Sequence, residues 1–98
     1  MATSVIPFNL AELKYWHSIT SANDLNNLAD GIYYVTTSAP QHAPAANCVW
    51  CVVYQITITA SMIHQYIIKP DASLIWVREF SGNPSSWLSW KKFTGTNV

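Results

Sequence analysis

Two cysteines separated by two residues, Cys48 and Cys51, are the first pattern in the sequence that could carry chemistry. A structural zinc site needs four ligands, and the chain has no second cysteine pair and no histidine at a suitable spacing. The pair lies in a run typical of a β-strand, where side chains three positions apart point to opposite faces. That geometry would prevent chelation by both thiols and disfavour a disulfide. We therefore interpret both cysteines as buried packing residues and predict no metal ligands.

The histidines and carboxylates show no pattern typical of catalysis. The three histidines lie in separate segments, at His17, His42 and His64, and none belongs to a nucleophile motif. Three of the five carboxylates fit turns or a helix start: Asp24, Asp30 and Asp71. A triad assembled in space stays possible, because sequence order does not reveal it. The inventory predicts that the chain is not an enzyme, with no catalytic residue and no cofactor.

Aromatic residues near the C-terminus form the third group. Aromatic rings pack on the C–H faces of sugars, while arginine and amide side chains donate hydrogen bonds to hydroxyls. The candidate ligand-binding residues are Trp76, Arg78, Asn83, Trp87 and Trp90. On one continuous strand Trp87 and Trp90 would face opposite ways, so at most one would share a face with Trp76. Core packing is the more common role of tryptophan in so small a domain, and it stays an alternative for each.

Two short helices are predicted before these residues. Asn9 followed by Glu12 matches a capping box, and Ser21 followed by Asp24 is a second start signal that Gly31 would end. Apolar side chains of the first segment predict a docking or assembly surface: Phe8, Leu10, Leu13 and Trp16. The chain thus divides into a docking or linker segment, 1–22, and a β-rich domain, 23–98.

Beyond Gly31 the apolar pattern changes from helical spacing to alternation. Five runs rich in β-branched and aromatic residues predict strands, at 32–37, 48–59, 63–68, 74–80 and 87–93. The connections are short, which favours antiparallel pairing. The sequence therefore predicts an α+β fold, in which short N-terminal helices precede a small antiparallel β-meander.

The run 48–59 has the strongest alternation. One set of side chains is wholly apolar: Trp50, Val52, Tyr54, Ile56 and Ile58. The other set becomes polar towards its end: Val49, Cys51, Val53, Gln55, Thr57 and Thr59. We expect the apolar set in the core and the second set partly exposed.

Composition and charge restrict the possible partners. Half of the 98 residues are hydrophobic, and five basic residues balance five acidic ones. A neutral chain has no long-range attraction to nucleic acid or anionic lipid, so a nucleic-acid partner is not expected. No apolar run is long enough to span a bilayer, so membrane insertion is not expected either. Low net charge favours association, which indicates a homo-oligomer or assembly component. A compact monomer with a large core is the alternative.

Several segments together resemble one known family, the pyocin-knob domains of phage tail fibres. The run DLNNLADGIYYV at residues 24–35 resembles the family's opening, and the alanine–proline loop and the strand beginning at Trp50 follow in order. Residues 74–78 and 85–91 resemble its closing hairpin, with an arginine strand and two tryptophans. The similarity covers about residues 23 to 93. The family tends to have a glycine directly after the strand-opening aromatic residue, where Cys51 stands in this chain.

The resemblance implies a knob-like, homotrimeric module in a virion tail, in a fibre or baseplate, synthesised in the host cytoplasm. Its expected partners are copies of itself, other virion tail proteins and host cell-surface polysaccharide. Two alternatives stay open. One is a structural or adaptor subunit of a tail or baseplate that binds no receptor itself, and the other is a binding module appended to a polysaccharide-degrading spike.

Overall fold

The described part of the chain, residues 17–82 and 85–98 of the computed structural model, is built mainly from β-strands in one mixed sheet. The strands are β1 (His17–Ile19), β2 (Gly31–Val35), β3 (Val52–Thr59), β4 (Met62–Ile68), β5 (Leu74–Gly82), β6 (Ser85–Trp87) and β7 (Lys91–Thr94). Neighbours in the sheet follow chain order from β1 to β6, and β7 also pairs with β5. Strands β2 to β5 form the predicted antiparallel meander.

The predicted α+β fold is wrong, because the described residues contain no α-helix. The first predicted helix lies in residues 1–16, outside the described part, as do Phe8, Leu10, Leu13 and Trp16. Only a single 3₁₀ turn, Leu25–Asn27, replaces the second. Asp24 rather than Ser21 caps it, accepting a hydrogen bond from the Asn26 amide at 2.9 Å. Asp and Asn favour such local bonds over a continued helix. No helix in this part of the chain is long and apolar enough to cross a membrane.

Strand β1 makes the sheet mixed, since it runs parallel to β2, with His17 opposite Tyr33. Parallel pairing needs a crossover, which residues 20–30 supply together with their 3₁₀ turn. Ile19 of β1 is buried in the core. Residue 22, where the sequence predicts the boundary between two parts of the chain, lies in the connection from β1 to β2.

The predicted fifth strand, 87–93, is two strands, because residues 88–90 leave the sheet. Both pair with β5: Trp87 of β6 lies opposite Phe80, and Lys92 of β7 lies opposite Trp76. The amide of Leu88 still donates to the carbonyl of Glu79 at 2.8 Å, which holds the interruption close to the sheet edge. Because of this interruption, Trp87 and Trp90 can both contact Arg78.

The sheet has an inner face, carrying Val35, Val53, Ile67 and Trp76, that forms the core. Segments 20–30 and 36–51 cover it, and their fully buried side chains include Leu25, Cys48 and Cys51. The opposite, outer face carries the alternate side chains of each strand, those that point away from the core.

The expected orientation of β3 is therefore wrong. Val53 and Gln55 point inward and are buried, whereas the wholly apolar set points outward, leaving Ile56 49% and Ile58 52% exposed. A polar side chain can occupy a core only when its hydrogen bonds are made there. Gln55 meets this condition.

A row of polar side chains crosses the inner face on three adjacent strands. Gln55, Gln65 and Arg78 lie directly opposite one another in register. Gln65 Nε2 donates to Gln55 Oε1 at 2.6 Å, and Arg78 Nε donates to Gln65 Oε1 at 2.8 Å. These side chains also bind segment 20–30, which covers the inner face. Gln65 Nε2 donates to the Leu25 carbonyl at 2.6 Å, and Gln55 Nε2 donates to the Leu28 carbonyl at 2.7 Å. We call Gln55, Gln65 and Arg78 the polar row.

We predict that Gln65→Leu lowers the free energy of unfolding by about 3 kcal/mol, because a leucine of similar size removes the buried hydrogen bonds that Gln65 makes to Arg78 Nε, Gln55 Oε1 and the Leu25 carbonyl. Chemical denaturation of the full chain measures this change. The control is Gln41→Leu, the same substitution at an exposed glutamine, which should change the free energy by less than about 0.5 kcal/mol. Equal effects of the two substitutions would contradict the role of the polar row.

Candidate ligand-binding groove

Arg78 brings together two tryptophans that the sequence placed on opposite faces. Its guanidinium carbon lies 4.0 Å from the centre of the Trp87 ring and 4.6 Å from that of Trp90. Both contacts form because residues 88–90 leave the sheet, so simple strand alternation does not apply between Trp87 and Trp90. The predicted separation of these two rings is therefore wrong, and both lie beside a residue that shares its face with Trp76.

The guanidinium itself is held by the protein. Arg78 is only 6% exposed, and its Nη2 donates to Asn26 Oδ1 at 2.9 Å in addition to the bond to Gln65. Burial lowers the pKa of Arg78 to about 10, so the group stays charged at neutral pH. A buried cation with these partners and two aromatic faces acts as a support for the tryptophan rings. It presents little surface to a ligand.

A groove of about 380 Å³ lies beside Trp90 on the inner side of the sheet. Its lining combines aromatic, aliphatic and polar side chains: Pro44, Ala45, Asn47, Leu74, Trp76, Trp90 and Lys92. Trp90 is fixed there by its ring nitrogen, which donates to the His42 carbonyl at 2.9 Å, and by its contact with Arg78. The groove thus has one rigid aromatic wall.

The predicted site residues take different places around this groove. Trp76 and Trp90 line it, although Trp76 is only 5% exposed. Arg78 lies behind Trp90, and Trp87 packs on Arg78 and against Phe80. Asn83 lies outside the described residues.

Sequence reasoning missed Lys92 and Asn47, the two polar residues of the groove. Lys92 lies opposite Trp76 in the β5–β7 pairing, so its side chain shares the inner face, whereas Lys91 lies opposite Val77 on the outer face. Asn47 comes from the proline-containing loop that the sequence treats only as a connection. The β7 register could have identified Lys92, but only once the interruption at 88–90 was known.

The cysteine pair is buried as predicted, but its predicted geometry is wrong. Cys48 and Cys51 both lie in the core, and they precede β3 instead of alternating along it. Between them Trp50 adopts a left-handed backbone, with φ +67°. Because the thiols interact directly, the hydrogen bond to Cys51 raises the pKa of Cys48, and burial raises it further. Both thiols are free and fully buried.

A smaller groove of about 250 Å³ carries His64, Glu79, Ser89 and Lys91 among its lining residues. Both ring nitrogens of His64 face other partners: Nε2 lies 3.0 Å from Glu79 Oε1, and Nδ1 lies 3.3 Å from the Tyr66 hydroxyl. Neither nitrogen is directed at Ser89, so these side chains do not form a nucleophile–base pair. Across residues 17–82 and 85–98, no three His, Cys, Asp or Glu side chains are grouped to hold a metal ion.

Comparisons with protein-family models, curated proteins and solved structures find no match to this chain.

The loop that anchors Trp90 is tied to the 3₁₀ turn by Asp24. Its carboxylate accepts from the Asn26 amide, and Oδ1 lies 2.6 Å from His42 Nδ1. The bond from Asn26, followed by that from His42, lowers the pKa of Asp24. An aspartate in an unfolded chain has a pKa of about 3.9. Because the pKa of Asp24 is lower than this in the folded chain, its charge stabilises the fold above that pH. The contribution is lost as the pH falls through the pKa that Asp24 has in the folded chain.

We predict that Asp24→Asn lowers the melting temperature at neutral pH and that the difference from the parent chain shrinks below about pH 4. Asparagine keeps the capping bond to Asn26, so the difference reports the carboxylate charge near His42. Thermal unfolding followed by circular dichroism across this range measures it. A difference that is independent of pH would contradict the assignment.

Proposed function

We propose that the chain is a non-enzymatic carbohydrate-binding module of the tail-fibre type, which holds host cell-surface glycan in the groove beside Trp90. The observation that carries this proposal is the combination of one fixed tryptophan wall with an ammonium and an amide in the same groove. Its location in a virion tail, next to other tail proteins, is part of the proposal and rests on the resemblance of residues 23–93.

The chemistry of the groove suits a sugar. An indole ring packs on the C–H face of a pyranose, and the Asn47 amide can both donate to and accept from hydroxyls. The Lys92 ammonium would pair with a carboxylate or phosphate substituent. A volume of about 380 Å³ lies within the range of small-molecule sites. Acidic surface polysaccharides therefore fit best.

Pre-organisation supports the same role. Trp90 is held by Arg78 on its ring and by His42 at its nitrogen before any ligand arrives. A rigid aromatic side chain loses little conformational entropy on binding, so more of its contact energy contributes to affinity. The Arg78 support explains why a charged residue is buried so near the surface of the site.

The second candidate is a structural or adaptor subunit of a tail or baseplate with no receptor of its own. The observation that favours it is the apolar outer face, where Ile56 and Ile58 are about half exposed. A large exposed apolar patch is typical of a surface that another protein covers. This candidate predicts no glycan binding at all.

We predict that Lys92→Ala weakens binding to acidic glycans by about tenfold, the loss expected when one charge-assisted hydrogen bond is removed. The matched control is Lys91→Ala, because the adjacent lysine points to the outer face. The measurement is binding of the full chain to an array of bacterial lipopolysaccharide and capsular oligosaccharides. Asn47→Ala should weaken the binding of neutral and acidic glycans alike.

Two results would overturn this assignment. One is the absence of binding to every glycan on the array, which favours the structural candidate. The other is an equal loss of binding in Lys91→Ala and Lys92→Ala, which would show a general effect of charge instead of a contact in the groove.

A further inference from the structure

The outer face of the sheet is an apolar surface in three rows. The first row crosses β2, β3, β4, β5 and β7 with Tyr34, Val52, Ile68, Ile75 and Phe93. The second contains Ile32, Tyr54, Tyr66, Val77 and Lys91, and the third Ile56, His64 and Glu79. Every one of these side chains is at least partly exposed. No described segment packs over them as segments 20–30 and 36–51 pack over the inner face.

Trp50 extends this surface at an energetic cost to the folded chain. Its left-handed backbone, φ +67°, is unfavourable for a large side chain. The ring is nevertheless 51% exposed and contacts Tyr34 with ring centres 5.8 Å apart. The left-handed residue belongs to a bulge, because the Val35 carbonyl accepts from the Trp50 amide at 2.8 Å and the Val35 amide donates to the Cys51 carbonyl at 3.0 Å. The exposed indole adds a large apolar side chain to the outer face.

Charge on this surface favours a copy of the same chain. His64 and Glu79 pair with each other at 3.0 Å, which leaves Lys91 as the remaining ionisable group in the three rows besides the tyrosines. The whole chain has zero formal net charge, so two copies meet no net repulsion. A strongly charged partner would find no complementary charge here.

The size of the surface is also sufficient. Each outward side chain occupies about 4.8 Å between strands by about 6.8 Å along a strand, so the rows together with Ile58 and Trp50 cover roughly 500 Å². Two such faces bury about 1,000 Å² together, which is the lower limit for a specific interface. Sheets of equal twist pack face to face about 10 Å apart, so an identical sheet matches this one in size, chemistry and twist.

We propose that copies of this chain associate through the outer face, with the three rows and Trp50 forming the interface. This association is independent of the carbohydrate groove, which lies on the inner side of the sheet. The two sites would let an assembled module present its grooves outward.

The direct test is the mass of the full chain in solution, measured by light scattering and sedimentation over a concentration series. The protomer mass is 11.0 kDa, and we expect a discrete dimer or trimer. A monomer at every concentration overturns the proposal, whether residues 1–16 or a different protein covers the face instead. Open-ended aggregation without a discrete species overturns it as well.

Matched variants locate the interface. Ile56→Lys places a charge on the exposed outer face and should raise the dissociation constant about tenfold or more. Ala46→Lys adds the same charge at an exposed position of the segment that covers the inner face and should leave the mass unchanged. If both variants dissociate equally, or neither does, the outer face is not the interface.

Trp50→Gly separates association from folding. Glycine adopts a φ of +67° without strain, so the monomer should be at least as resistant to denaturation as the parent monomer. Association should weaken because the exposed indole is lost. A variant that associates as strongly as the parent would overturn the role of Trp50.

Discussion

The structure depends on satisfying three polar side chains inside the core. Gln55, Gln65 and Arg78 lie side by side on the inner face, and each leaves water on folding. Their burial is tolerated because their groups bond to one another, to two backbone carbonyls of residues 20–30 and to Asn26. Among the described residues no buried side-chain nitrogen or oxygen lacks a partner. The same bonds fix the 3₁₀ turn on the sheet, so segment 20–30 and the polar row form one unit.

This arrangement explains why sequence patterns predicted the strands but not their orientation. Alternation located β2 to β5 within a few residues, because β-branched and aromatic runs between turn residues identify strands whichever face is buried. The rule that the more apolar face points inward failed at β3. Gln55 is buried since it has partners on β4 and directly after the 3₁₀ turn, and no local pattern reveals partners so distant in the chain. The parallel pairing of β1 with β2 could not be predicted either, because its partners lie about sixteen residues later in the chain and no local pattern indicates them.

The candidate groove was predictable in its residue types more than in its geometry. Trp76 and Trp90 line it, and Arg78 supports Trp90 from the core. Their proximity depends on the break at residues 88–90, and their roles depend on burial. An arginine that looks suited to a ligand thus stacks on tryptophans, while Lys92, which looks like a surface residue, lines the groove. One polar row therefore supports the side chains around the groove and leaves the apolar set of each strand on the exposed outer face.

NMR of the Gln65 side-chain amide tests most directly whether the polar row lies inside and the apolar rows outside. With the polar row inside, these amide protons should exchange slowly with water and show nuclear Overhauser contacts to Leu25, since Gln65 Nε2 donates to the Leu25 carbonyl. This result does not depend on whether copies associate. Rapid exchange, with no contact between Gln65 and Leu25, would contradict the account, because the inner and outer faces would then be reversed.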